Sequence, residues 1–111
     1  MGTVPQSELL PGTLDLLILK VLASEPMHGY GIAQQLKELS DDVLRVGESS
    51  LYPALQRLML RGWAKAEWGI SETNRRVRFY RLTPAGKAQL ASEMDDYERI
   101  NAAIRAVLRT A

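Results

Sequence analysis

The sequence has no cysteine and one histidine, and its formal net charge is only +1 over 111 residues. Without cysteine there is no disulfide and no thiolate metal site, and the lone His28 leaves zinc almost without ligands. A cysteine-free chain suits a reducing compartment. The longest apolar run, Leu16 to Leu19, is far too short to cross a bilayer. Met1 to Ser7 lacks a basic stretch followed by an apolar core, so no secretory signal is expected and a cytoplasmic location is. Catalytic constellations are missing too. Gly29-Tyr30-Gly31 lacks a third glycine and follows no strand, so it is not a dinucleotide loop. Asp95, Asp96 and Glu98 have no histidine partner and read as a solvated face, and no nucleophile–base pair stands out. No cofactor, no metal and no enzymatic activity are expected.

What is present is a globular composition, 46% hydrophobic, enough for one domain with a modest core. The small net charge conceals an asymmetry. Arg57 to Arg81 holds seven basic residues against two acidic ones, a segment of +5, and the remainder of the chain is −4. Concentrated positive charge is the footprint of a polyanionic partner.

Hydrophobic spacing predicts the elements. Leu14, Leu17, Ile18, Val21 and Leu22 form a buried helical stripe, giving a first helix over about Thr13 to Ser24 with Thr13 as its cap. Pro26 to Gly29 reads as a tight turn. Ile32, Leu36 and Leu39 give a second helix, roughly Gly29 to Ser40, stopped by Asp41-Asp42. Val43 to Val46 is a short extended piece. A third helix starts at Ser49-Ser50; with Ser50 as cap, Pro53 falls in the first turn, where its missing N–H does no harm. Leu51, Leu55 and Leu58 are its buried stripe and Gly62 its stop. Ala64, Ala66, Trp68 and Ile70 alternate with Lys65 and Glu67 as in a half-buried strand. Ser71 to Asn74 is a turn, and Arg76 to Leu82 is the returning strand. Tyr30, Trp63, Trp68, Phe79 and Tyr80 are read as core filling between helices and hairpin. Thr83-Pro84 fits a helix cap followed by proline at the first position. No proline follows Pro84 and no glycine follows Gly86, so one long helix runs toward the end.

Three helices followed by a hairpin make a winged helix-turn-helix, here mainly α with a small β-hairpin and a long C-terminal helix. In that arrangement the third helix enters the major groove and the hairpin turn reaches the adjacent backbone or minor groove. The DNA-facing set is then Ser49, Ser50, Tyr52, Pro53, Gln56 and Arg57 from the third helix, with Asn74, Arg75 and Arg76 at the turn. The bland alternatives are a solvated helix face and a charged turn that keeps a strand edge soluble. Their occurrence together favours double-stranded DNA. A winged module that docks protein is the rival, and a face this charged argues against it. Along the last helix Leu90, Tyr97 and Ile104 repeat every seven residues, and Met94, Asn101 and Leu108 repeat on a neighbouring row. That is a seam facing a partner helix. Residues 9–83 are therefore read as the DNA-binding domain and 84–111 as a dimerisation helix.

The segments Leu10-Pro-Gly-Thr-Leu-Asp-Leu-Leu-Ile-Leu19, Met27-His-Gly-Tyr-Gly-Ile32, Ser50-Leu-Tyr-Pro-Ala-Leu55 and Arg78-Phe-Tyr-Arg-Leu-Thr83 together resemble the PadR family of bacterial transcriptional regulators. The chain looks closest to the short subclass, with one C-terminal helix after the winged domain. The resemblance implies a homodimer joined through the last helix. It implies a repressor that binds an inverted repeat, with Tyr52 among the DNA contacts. Some relatives release DNA when an aromatic compound binds near the dimer interface. By that analogy Tyr97, with Leu17 as an apolar wall, would meet the effector. In some short relatives a tryptophan on the last helix clamps flat drugs; this helix has Tyr97 and no tryptophan.

Overall fold

The computed structural model describes residues 12–110. The expectation for Met1 to Ser7, and the start of the DNA-binding domain at residues 9–11, lie outside them. The chain runs α1 (Thr13–Leu22), β1 (Met27–His28), α2 (Gly29–Leu39), α3 (Glu48–Leu60), β2 (Ala64–Ile70), β3 (Arg76–Leu82) and α4 (Pro84–Leu108).

Helix α1 is the hub, packing against α2, α3, α4 and β3. A helix covered on several sides is apolar around a wide arc, so Leu19, outside the predicted stripe, is as fully buried as Ile18. Thr13 is the first helical residue rather than the cap. Gly12 precedes it with φ 87, a left-handed entry that glycine adopts without strain.

Met27 and His28 do not form a tight turn. They pair antiparallel with Tyr80 and Phe79, so the expected two-stranded hairpin is a three-stranded sheet in the order β1-β3-β2. Two residues are too few to show alternation in sequence; what recruits them is the open edge of β3. His28 then caps α2, its Nδ1 accepting the Gly31 N–H at 3.1 Å. Ile32 and Leu36 of the predicted α2 stripe are buried, but Leu39 is 69% exposed. The chain leaves the core there, through Asp41 and Asp42 with φ 55 and 69.

Helix α3 begins earlier than Ser50. The N–H groups of Ser50 and Leu51 both donate to the Gly47 carbonyl, at 3.2 and 3.0 Å, which winds the first turn from Glu48. Pro53 therefore lies inside the helix, where it cannot donate an i→i−4 bond. It is exposed, so its ring displaces no core side chain. Leu51, Ala54, Leu55 and Leu58 face inward. The helix closes as expected at Gly62, with φ 77: the Trp63 N–H donates to the Leu58 carbonyl at 2.9 Å and the Gly62 N–H to Met59 at 3.0 Å. That pair of bonds satisfies carbonyls a helix end otherwise leaves open.

Strands β2 and β3 pair from Ala64↔Leu82 to Ile70↔Arg76. Their alternation is as predicted near the core, where Ala64 and Tyr80 are buried. Further out it fails as a guide to burial: Trp68 and Ile70, like Tyr30, are mostly exposed. The hairpin is longer than the core beneath it. Of the aromatic residues assigned to core filling, Tyr80 is buried and Trp63 and Phe79 half-buried, whereas Trp68 and Tyr30 stand in solvent.

Helix α4 starts as predicted, the Thr83 Oγ1 accepting the Gly86 N–H at 3.0 Å with Pro84 first in the helix. Gly86 and Leu90 are buried and Met94 packs on the core, so the first turns are packed against the winged unit. Beyond Met94 the helix projects from it. The architecture is a winged helix-turn-helix with a long C-terminal helix. Among the described residues no helix is long and apolar enough to cross a membrane, and no cluster of histidine and carboxylate side chains is arranged to hold a metal ion.

Candidate nucleic-acid interface

Burial of Leu51, Ala54, Leu55 and Leu58 forces the rest of α3 outward, since residues three and four apart share a face. Ser49, Tyr52, Pro53, Gln56 and Arg57 are all exposed and Ser50 is half-buried. The DNA-facing set predicted on α3 is thus one outward surface, though its members differ in what they touch.

Tyr52 leans back toward α2. A methyl carbon added at Gly29 would stand 2.6 Å from the Tyr52 hydroxyl, so the absence of a side chain at Gly29 is what makes room for the phenol. Burial there pushes the Tyr52 hydroxyl above its ordinary range, with Tyr80 and Glu48 adding to the effect. It stays protonated at neutral pH and can donate to a phosphate or a base edge.

Arg57, also in the predicted set, has a partner within the chain. Its Nη2 and Nε donate to the two carboxylate oxygens of Asp15, at 2.8 and 3.3 Å, and Arg61 approaches the same carboxylate at 3.5 Å. Asp15 is almost wholly buried on α1, so the pair fastens α3 to the hub helix. The carboxylate raises the Arg57 pKa further. A charge-assisted bond across 42 positions of sequence has no local signature; the only hint was an acidic residue within an apolar helix. Arg57→Ala is expected to lower stability by about 1 kcal/mol, since the arginine side of the pair is half in solvent. It should leave the salt dependence of random-duplex binding where it was. Urea melts and a salt titration on the same variant check both halves.

At the far end of the wing, the Asn74 N–H donates to the Ser71 carbonyl at 2.9 Å and the Ser71 N–H to the Arg75 carbonyl at 2.8 Å. Asn74 has φ 62. This is a type I turn followed by a left-handed residue, a standard way to close a short hairpin. Asn74 is there for its tolerance of that backbone state, and it sets Arg75 and Arg76 at the exposed tip. Further back, Arg81 pairs with Glu67 at 2.8 Å. Arg76 and Arg78 instead lie over the Trp68 ring, 4.4 and 6.0 Å from its centre. Arg78 also reaches the Met59 sulfur on α3 at 3.9 Å. Tyr52, Trp68, Arg78 and Tyr80, with His28, Gly29 and Tyr30, line one small cleft, about 280 Å³, where α3 and the start of α2 meet the wing. Helix and wing therefore share a surface with hydroxyl, amide and guanidinium groups on it, which is chemistry suited to phosphates and base edges.

The seam residues lie on α4 in graded exposure. Leu90 is buried, Met94 and Asn101 are half-buried, and Tyr97, Ile104 and Leu108 are exposed. Ile100 and Val107, which the sevenfold spacing passed over, are exposed apolar residues on the same stretch.

Residues 18–92 match the family model described as the transcriptional regulator PadR-like family. A transcriptional regulator of Mycobacterium tuberculosis is 36% identical over 85 residues, which are 77% of this chain and 76% of that one. The solved structure of a transcriptional regulator from Clostridium thermocellum is similar with a TM-score of 0.78 and 29% identity, covering 86% of this chain and 92% of that one. A PadR family transcription regulator from Clostridium difficile R20291 gives a TM-score of 0.76 at 27% identity, with 87% and 99% covered.

Proposed function

Because this chain belongs to the PadR-like family of transcriptional regulators, which are not enzymes, we propose that it acts as a cytoplasmic homodimeric repressor reading an inverted-repeat operator. The observation that carries the DNA-reading part is the shared surface of α3 and the wing, with Tyr52 and Arg78 on one cleft. Residues 9–83 serve as the DNA-binding unit. Within it, Ser49, Ser50, Tyr52, Pro53 and Gln56 meet the groove, and Arg75 and Arg76 meet the backbone beside it. Asn74 acts by shaping the turn, and Arg57 by anchoring α3 to α1.

The dimerisation part rests on the outer half of α4. Its exposed apolar stripe has no cover among the described residues, and a second copy supplies one. Two half-sites held by a two-fold dimer lie about one helical turn of DNA apart. An aromatic effector at Tyr97 and Leu17 fits the same assembly: Tyr97 is exposed on α4 and Leu17 half-buried on the α1 that α4 packs against. A binding site there is closed by the second chain.

The division of labour is tested by substitution. Arg75→Ala should weaken binding to operator and random duplex alike and flatten the salt slope by about one unit, the value for one lost phosphate contact. Gln56→Ala or Tyr52→Phe should instead lower the ratio of operator to random affinity. An unchanged salt slope in Arg75→Ala would remove the wing tip from the DNA-binding surface.

A further inference from the structure

We propose that Trp68 is a positioning residue for DNA binding: its indole holds the guanidinium groups of Arg76 and Arg78 in place for phosphate oxygens. The proposal rests on the DNA-binding reading above and adds residues to it.

Trp68 is 60% exposed in the middle of a strand. A tryptophan at such a place has given up most of the burial that normally justifies it. What it gains is visible in the register. Trp68 stands directly opposite Arg78, and Arg76 is two positions further along the same strand, so all three side chains share one face of the sheet. Arg76 lies over the ring at 4.4 Å and Arg78 at 6.0 Å, with Arg78 also 5.8 Å from the Tyr80 ring. The face is the one turned to α3, since Arg78 touches Met59 and lines the cleft with Tyr52.

The charge arrangement separates these two arginines from Arg57, Arg61 and Arg81, though Arg75 at the tip is likewise in no ion pair among the described residues. Arg57 and Arg61 share the Asp15 carboxylate, and Arg81 faces Glu67. The ion pairs among the described residues do not include Arg76 or Arg78. A carboxylate orients a guanidinium but cancels its charge and occupies its N–H groups. An aromatic ring orients it through the face, leaving the full charge and the N–H groups at the edge for another acceptor. Ordering long side chains before binding also removes an entropic cost from the binding step. The indole is thus a support that leaves the cations available to a polyanion.

The test compares wild type, Trp68→Phe, Trp68→Leu and the double variant Arg76→Ala/Arg78→Ala. Each is titrated with a random duplex over a range of salt, alongside a thermal melt. Phenylalanine keeps a π face, whereas leucine keeps apolar bulk and loses it. Trp68→Leu should weaken random-duplex binding by about tenfold and flatten the salt slope by up to about two units, while Trp68→Phe stays near wild type. The double variant should lose the same part of the slope. If Trp68→Leu matches wild type while the double variant loses slope, the arginines bind DNA without the indole and the proposal is overturned, with the DNA-binding reading intact. If the double variant keeps the wild-type slope, the wing arginines do not contact phosphates, and the proposal falls with that part of the reading. A purely structural role for Trp68 would lower the melting temperature without changing the slope, and that result overturns it as well.

Discussion

Ile104→Asp is expected to convert a dimer into a monomer and to weaken operator binding by about a hundredfold or more. Ile104 is 47% exposed in the single chain, on the part of α4 that has left the core. Tyr97, Ile100, Val107 and Leu108 lie exposed around it. A helix with 3.6 residues per turn brings positions 97, 100, 104 and 107–108 onto one stripe, the spacing of a helix–helix seam. Covering such a stripe with a second copy removes apolar surface from water at roughly 25 cal/mol per Å². A carboxylate placed in the middle must be desolvated beside its own copy, which the interface cannot compensate. Binding then loses the effective concentration that links two half-site readers, a factor of about 10²–10⁴. The winged unit should remain folded, because Ile104 contributes nothing to its core. Sedimentation of wild type and variant at micromolar concentration gives the assembly state, and circular dichroism confirms the fold. A monomeric wild type, or a variant that sediments as the dimer, would sink the dimer reading.

Gly86→Ala is expected to destabilise the fold by roughly 3 kcal/mol or more, at the top of the range for overpacking. The added carbon would lie 2.1 Å from the Trp63 carbonyl oxygen and 2.8 Å from the Leu82 side chain. A leucine end can rotate away, but a backbone oxygen cannot. The same carbonyl accepts the Thr83 N–H at 3.1 Å, and the Thr83 hydroxyl donates to the Gly62 carbonyl at 2.6 Å. Start of β2, end of β3 and start of α4 are thus joined at this one point. Relief of the clash means breaking those bonds or lifting α4 from the sheet. A loss of this size should lower the melting temperature by about 10–20 °C in a domain this small. A melt within a few degrees of wild type would mean the junction yields more easily than its geometry suggests.

Much of this molecule was legible in its sequence because the signals are local. Helix periodicity, the Gly62 stop and the Thr83-Pro84 start depend on residues a few positions apart, and the structure has them where the spacing put them, apart from Leu39, which the end of α2 carries into solvent. The start of α3 departs from its local signal for a related reason. Ser50 is a better capping side chain than Gly47, but the backbone bonds to the Gly47 carbonyl wind the turn earlier and place Pro53 inside the helix.

What the sequence by itself determined is the order of elements and the side each presents: three helices, a basic hairpin and a long final helix, each with an apolar stripe and a polar face. Periodicity encodes that much because a side chain's direction follows from its neighbours' backbone. Only the tertiary structure decided which charges remain available. Arg57 and Arg76 look alike in the sequence, yet one is fastened to a carboxylate 42 residues away and the other lies on an indole across the hairpin. It also decided that Met27 and His28 join the sheet, that Trp68 stands outside the core, and that Gly29 is the space Tyr52 occupies. Each of these depends on contacts between segments distant in sequence, and such contacts exist only once packing has brought the segments together.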